Sequence, residues 1–300
     1  MTPTFRKMLA SLATVFALLA LLAVPVGAVI EAEEAFRNAR DRADLPVATD
    51  TVERSWIWGP EPITGLVGEA YREHPAGERP VMYWDKSRME VNNPNADSTD
   101  PWYVTNGLLA RELMTGEMQF GHTHFEQYDP AQVHVAGDPD ENAPTYATFG
   151  ALTDHGGIGS VPPGPITMTV NGDGEIGTEE ALAEYDVTRV EHRPETDHFI
   201  ASVFWDFMNS EGVVWTGTDY ETGRLFEDPF YAVGLPLTEA FWTYVSVDGE
   251  MQWVLVQAFE RRVLTYTPWN DEGWQVEAGN VGQHYYMWRY GEDPPGFPDQ

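Results

Sequence analysis

At 300 residues with 48 acidic against 17 basic side chains, the chain carries a formal net charge of −31 at neutral pH. A surface this acidic repels phosphate backbones and excludes nucleic acid as a partner. The absence of cysteine removes disulfides, thiol catalysis and thiolate metal sites together. Packing alone must hold the fold, and a 13% aromatic content supplies material for one large core or two smaller ones.

Arg6 and Lys7 precede an apolar run from Leu9 to Val24, which ends in the small residues Val26-Gly27-Ala28. This is the pattern of a secretory leader over residues 1–28, with cleavage expected after Ala28. The competing reading is an uncleaved membrane anchor, the one route to a membrane partner. Val29 to Arg42 reads as a short helix with Glu33 and Arg37 at neighbour spacing, and Leu45 to Asp50 as a linker. Residues 29–53 thus lead into a first module at 54–118.

Within that module, Val81 to Met114 repeats the order of residue types found in Trp253 to Tyr290. Trp84, Asp85, Lys86 and Met89 fall on Phe259, Glu260, Arg261 and Leu264, and Trp102 and Val104 fall on Trp274 and Val276, with three extra residues in the turn. The second copy, 193–290, is the richer. An Asp248-Gly249 turn joins its first two strands, Val254 to Thr267 reads as one long strand, and Trp274 to Val276 as a short return. Asn280 with Gln283 caps a helix carrying Val281, Tyr285 and Trp288 on one stripe. Residues 291–300 form a tail.

The intervening segment, 119–192, is rich in loop formers, with a β-like piece at Thr145 to Phe149. The expected fold class is α+β: two related small modules of short antiparallel strands with flanking helices, joined by a β/loop-rich segment.

Two stretches invite a metal. His122 and His124 would share one strand face, with His134 or Glu126 as a further ligand suited to zinc. Asn171, Asp173, Gly174, Ile176 and Glu180 overlay a calcium loop of the EF-hand type, but its first position is Thr169 and a strand precedes it. An Asn-Gly or Asp-Gly hairpin leading into a helix at Thr178 to Tyr185 fits better, so no cofactor is expected and calcium is not required by the fold. Phe199, Val203 and Phe207 lie on a helical stripe over His198 to Met208, with Trp205 beside them as either a binding platform or core.

Gly234-Leu235-Pro236-Leu237-Thr238-Glu239, Val256-Gln257 with Phe259-Glu260-Arg261, Tyr266 with Pro268, and Gly273-Trp274 with Val276 resemble uncharacterised modules of secreted bacterial proteins. More distantly they resemble the LGFP repeat, from which the order Gly234-Leu235-Pro236 departs. The likeness covers about a third of the chain at the second copy and implies attachment to the cell envelope.

No Gly-x-Ser-x-Gly, Ser-x-x-Lys, phosphate loop or His-Glu-x-x-His motif occurs. An extracellular carbohydrate-active hydrolase using paired carboxylates such as Glu239 and Glu260 is the alternative function. The leading expectation is a secreted, noncatalytic protein that associates with cell-wall or extracellular polysaccharide. Eleven tryptophans and thirteen tyrosines suit stacking on sugar rings. Trp84, Trp102, Phe259 and Trp274 are expected in cores, and Trp205, Glu239, Arg262 and Tyr266 as ligand contacts.

Overall fold

The computed structural model describes residues 26–140 and 142–296. Residues 1–25 of the expected leader lie outside them, and the expected cleavage point after Ala28 falls in the first turn of the first helix. Among the described residues no helix is long and apolar enough to cross a membrane.

Helix α1 (Val26–Ala48) buries Ala32, Phe36, Ala43 and Val47 on one stripe at helical intervals. It runs through most of the expected linker: Pro46 lacks the N–H that would continue the ladder, and the helix ends two residues later. Asp44, fully buried on this helix, accepts the backbone N–H groups of Ile57 (2.9 Å), Trp58 (2.7 Å) and Gly59 (3.0 Å). That anchors the chain as it enters the first sheet.

The first sheet pairs β1 (Val67–Ala70), β2 (Glu78–Trp84), β3 (Ser87–Glu90) and β4 (Thr105–Asn106) antiparallel in chain order, and α2 (Leu109–Thr115) follows. A hairpin of β5 (Glu117–Gln119) and β6 (Phe125–Gln127) comes next, then α3 (Tyr146–Gly150). The piece expected to be β-like is therefore a helix turn, because the Thr145 hydroxyl accepts from Thr148 N and the Thr148 hydroxyl returns the bond in a capping box.

A tight hairpin, β7 (Met168–Val170) and β8 (Ile176–Thr178), precedes a 3-10 turn at Glu180–Tyr185 in place of the expected helix. The pair β9 (Arg189–Arg193) and β10 (His198–Ala201) leads into α4 (Ser202–Met208). Phe199 thus lies in a strand and not on the helix stripe. The ribbon β11 (Glu211–Trp215) and β12 (Tyr220–Arg224) follows.

The second sheet contains β13 (Phe241–Val247), β14 (Glu250–Ala258), β15 (Val263–Tyr266) and β16 (Val276–Ala278), again antiparallel in chain order and again followed by a helix, α5 (Val281–Tyr290). The β7–β8 hairpin extends it to six strands through a parallel contact of Thr169 with Trp242. Asp248 and Gly249, at φ of 53° and 80°, turn β13 into β14 as the Asp-Gly pair requires.

The expected single strand from Val254 to Thr267 is instead a hairpin. Phe259 N donates to Arg262 O, and Glu260-Arg261 form the two-residue turn. That turn holds because Glu260 N and Arg261 N donate to Leu235 O and Val233 O, partners far away in sequence. Asp85-Lys86 make the corresponding turn between Trp84 and Ser87.

Entry into the two sheets is alike. Ile63 N donates to Tyr83 O and Leu237 N to Ala258 O, while the hydroxyls of Thr64 and Thr238 accept from Tyr83 N and Ala258 N. The hairpin tips cross over to the opposite helix: Asp85 O accepts Gly282 N at 2.9 Å, and Glu260 O accepts Arg111 N at 3.0 Å. Lys86 Nζ donates to Ala278 O at 2.6 Å, and Arg261 donates to Asn106 O.

Two hydrophobic clusters fill the interior, and both draw on both sheets. One joins Phe36, Trp84 and Met89 to Trp242, Phe259 and Leu264; the other joins Tyr83 and Leu113 to Phe241, Val256 and Tyr285. Trp84 and Phe259 are core residues as expected, whereas Trp102 is 45% exposed against Tyr231 and Trp274 is half-buried. Both of the latter stand on turns, where no facing layer covers them.

Candidate functional site: an aromatic band on the second sheet

Alternation along a strand sends Trp242 and Tyr244 of β13 to one face and Phe241, Thr243 and Val245 to the other. Tyr244 stands directly opposite Trp253 of β14, and the two rings lie 5.0 Å apart. Tyr266 of β15 is opposite Leu255, which places it diagonal to Trp253 on the same face. Beneath this layer Trp242 is fully buried, its Nε1 donating to Ile166 O at 2.8 Å.

Trp242 in turn carries Tyr266 at 6.2 Å and Tyr185 at 5.2 Å, and Tyr185 meets Trp269 edge-on at 5.3 Å. The result is a band of five partly or largely exposed rings, with Tyr244, Trp253 and Tyr266 on the sheet, Tyr185 on the 3-10 turn and Trp269 on the loop after β15. Tyr244 is 48% and Trp269 52% exposed. Burial raises the Tyr185 and Tyr266 phenols above their usual range, and Glu184 adds to this at Tyr185, so both stay as O–H donors.

Beside Tyr244 and Trp253 a groove of about 310 Å³ is lined by Thr169, Asn171 and Glu175. Asn171 Oδ1 accepts Asp173 N (3.1 Å) and Glu175 N (2.9 Å), and its Nδ2 donates to Glu175 Oε2 (3.1 Å). The stretch that overlays a calcium loop is thus the β7–β8 turn, with Asn171 occupied by the turn and Glu180 already in the 3-10 segment. His122 and His124 lie in the turn between β5 and β6 and not on a strand; His122 packs edge-on against Tyr71. Among the described residues no group of three His, Asp or Glu side chains is placed to hold a metal.

Of the expected ligand contacts, only Tyr266 belongs to the band. Glu239 is fully buried as the latch of the 153–164 loop, accepting from Phe199 N (3.1 Å), Gly157 N (3.3 Å) and Arg189 Nε (3.2 Å). Burial alone would raise its carboxyl, but His198, these backbone donors and Arg189 hold it below the usual range. Glu260 is half-buried in its turn and accepts from Leu235 N at 3.0 Å.

Arg262 is 1% exposed, donating to Ile57 O at 2.7 Å with its guanidinium 4.9 Å from the Trp58 ring centre, and burial lowers it to about 9. Trp205 is half-buried against Phe230. These residues sit where a turn or helix packs on a neighbouring layer, which residue type alone does not reveal.

A second concentration of charge is enclosed in the first sheet. Arg88 pairs with Glu69 (3.1 Å) and Glu90 (2.9 Å), Arg79 with Glu90 (3.2 Å), and Tyr285 donates to Glu112. These four charged partners are at most 4% exposed, so the network cross-links strands and helix and admits no substrate.

Tyr244, Trp253, Tyr185 and Trp269 were not singled out in the sequence, yet one signal was present. Tyr244 and Trp253 are equidistant from the Asp248-Gly249 turn, and the pairing rule for a two-residue hairpin sets such positions opposite each other. Comparison of the chain with protein-family models, with curated proteins and with solved structures finds no match in any of the three.

Proposed function

We propose that this is a secreted, noncatalytic protein that associates with a polysaccharide of the cell envelope or extracellular matrix through the aromatic band. The observation that carries the reading is the band of partly or largely exposed rings on and beside the second sheet, an apolar surface of tilted and edge-on rings next to a groove lined by amide, hydroxyl and carboxylate groups. Sugar rings offer such a surface their C–H faces and their hydroxyls. Residues 168–188, 241–257 and 263–288, which build the face, contain no Lys or Arg, so an anionic polymer is repelled and a hydroxyl-rich glycan without acidic groups is favoured.

The finer architecture belongs to the same proposal: the two four-strand-plus-helix units are related modules. Their matching turns, threonine caps and reciprocal ties support this reading. The band then belongs to the second module, extended by the β7–β8 hairpin.

Sedimentation of the purified chain with isolated cell wall and with insoluble neutral glycans tests the function. Binding is expected to weaken by about fivefold in Trp269→Ala and in Tyr244→Ala, as loss of roughly 1 kcal/mol of ring contact implies, with the melting temperature unchanged. Equal retention of wild type and variants on every matrix, or none by any, would sink the proposal.

A further inference from the structure

On the opposite face of the second sheet lies a cleft of about 440 Å³ between the 133–139 loop and β14, β15 and β16. At about 30 Å³ per water it has room for a ligand of roughly ten to fifteen heavy atoms. The loop that walls it is held firmly: Asp138 N donates to Ser246 O at 2.7 Å, and Asp138 Oδ2 accepts Ser246 Oγ at 2.8 Å and Gly249 N at 3.0 Å. The cleft is therefore preformed.

Six ionisable side chains line it, Lys86, His134, Asp138, Asp248, Glu277 and His284, and three of them carry the argument for a ligand. Lys86 donates to Ala278 O (2.6 Å) and Asn280 Oδ1 (3.2 Å), which leaves the third N–H of its ammonium unassigned. His284 Nδ1 is joined to the Tyr146 hydroxyl at 3.0 Å. A phenol is the better donor of the two, so Tyr146 fixes the tautomer with the proton on Nε2, available to the cleft. The half-buried Glu277 carboxyl has no hydrogen-bond partner among the described residues; its nearest cation, Lys86, bonds elsewhere.

All three are shifted against charge by burial. Lys86 is lowered, Glu277 is raised, and His284 falls to about 4 with Lys86 and His134 adding to the effect. Perturbed groups converging in one cleft are the mark of a ligand site. No group of three metal-binding side chains lies here among the described residues, and the acids Glu277, Asp138 and Asp248 on the lining disfavour a simple anion.

We propose that this cleft binds a small zwitterion, of the chemistry of a free amino acid or dipeptide. The ligand carboxylate accepts from Lys86 Nζ and His284 Nε2, and its ammonium pairs with Glu277. Such a ligand supplies a donor to the unpartnered acid and an acceptor to the two unpartnered N–H groups while bringing no net charge to an acidic protein.

Calorimetric titration of the full chain at neutral pH with a panel of amino acids and dipeptides tests this, each also supplied N-acetylated and C-amidated. Saturable binding is expected for zwitterions, with at least tenfold loss for either blocked form and for Glu277→Gln. Equal affinity for a blocked analogue overturns the proposal, as does no saturable heat from any zwitterion up to about 1 mM, the weak end of specific binding. The blocked analogues decide the matter on the unaltered protein even if a variant fails to fold.

Discussion

Gly282 fixes how closely α5 approaches the first sheet. A Cβ there would lie 1.9 Å from Trp84 O and 2.6 Å from Ser87 O, both backbone atoms with no room to yield. Gly282→Ala is expected to cost about 3 kcal/mol or more through displacement of the helix from the β2–β3 tip, read as a lower urea midpoint at unchanged slope. Asp44→Ala acts on the other hydrophobic cluster, beside Ala43, Ile57 and Trp58. It leaves three buried N–H groups unpaired at Ile57, Trp58 and Gly59, so a loss of about 3 kcal/mol is expected, and Asp44→Asn should recover part of it. A midpoint for Asp44→Ala equal to wild type would show that the turn does not need its carboxylate.

At the level of elements, the first sheet is tuned to acid. Burial would raise the Glu90 carboxyl, but Arg79 and Arg88 override it and hold it at about 2. Since the folded value lies below the unfolded one, ionised Glu90 stabilises the fold above about pH 4.5, and the contribution of about 3 kcal/mol fades as pH falls towards 2. His284 on α5 is kept neutral, lowered to about 4. Its contribution is complete above about pH 6.5 and is lost as pH falls from there to 4. Chemical denaturation across pH should show two successive losses, the upper one reduced in His284→Gln, with His74, also lowered by burial, contributing over the same range.

The elements also divide by how visible they are in the sequence. The Asp248-Gly249 hairpin follows from a local turn rule, and the helix after Asn280 from the spacing of Val281 and Tyr285, although the expected Asn280-Gln283 cap is not made: Asn280 accepts from Lys86 and Gln283 donates to Asp85. The Glu260-Arg261 corner was hidden because its residues are not turn formers; distant carbonyls of Leu235 and Val233 impose it. Tyr266 reached the candidate site and Glu239 and Arg262 did not, because a charged residue in a patterned strand reads alike whether it meets solvent or a buried loop. The zwitterion cleft was illegible for the same reason: Lys86, Glu277 and His284 are brought together from both ends of the chain.

Across the whole molecule, each hydrophobic cluster contains residues from both sheets, so neither sheet keeps a core without the other. Calorimetry should give a single transition, and an isolated 54–118 fragment should lack the near-ultraviolet signature of packed aromatics. Two separate transitions would contradict this joint packing.

The reciprocal ties between hairpin tips and opposite helices also govern when the protein can form. Asp85 finds its partners at Gly282 and Gln283, almost two hundred residues downstream. The ties that seat the β2–β3 tip on α5 cannot form until α5 has been synthesised, and contacts of such long range slow folding. Until then the amino-terminal half lacks the partners that complete its structure. On the proposal that the chain is exported, this late closure keeps it unfolded and threadable while it is being made.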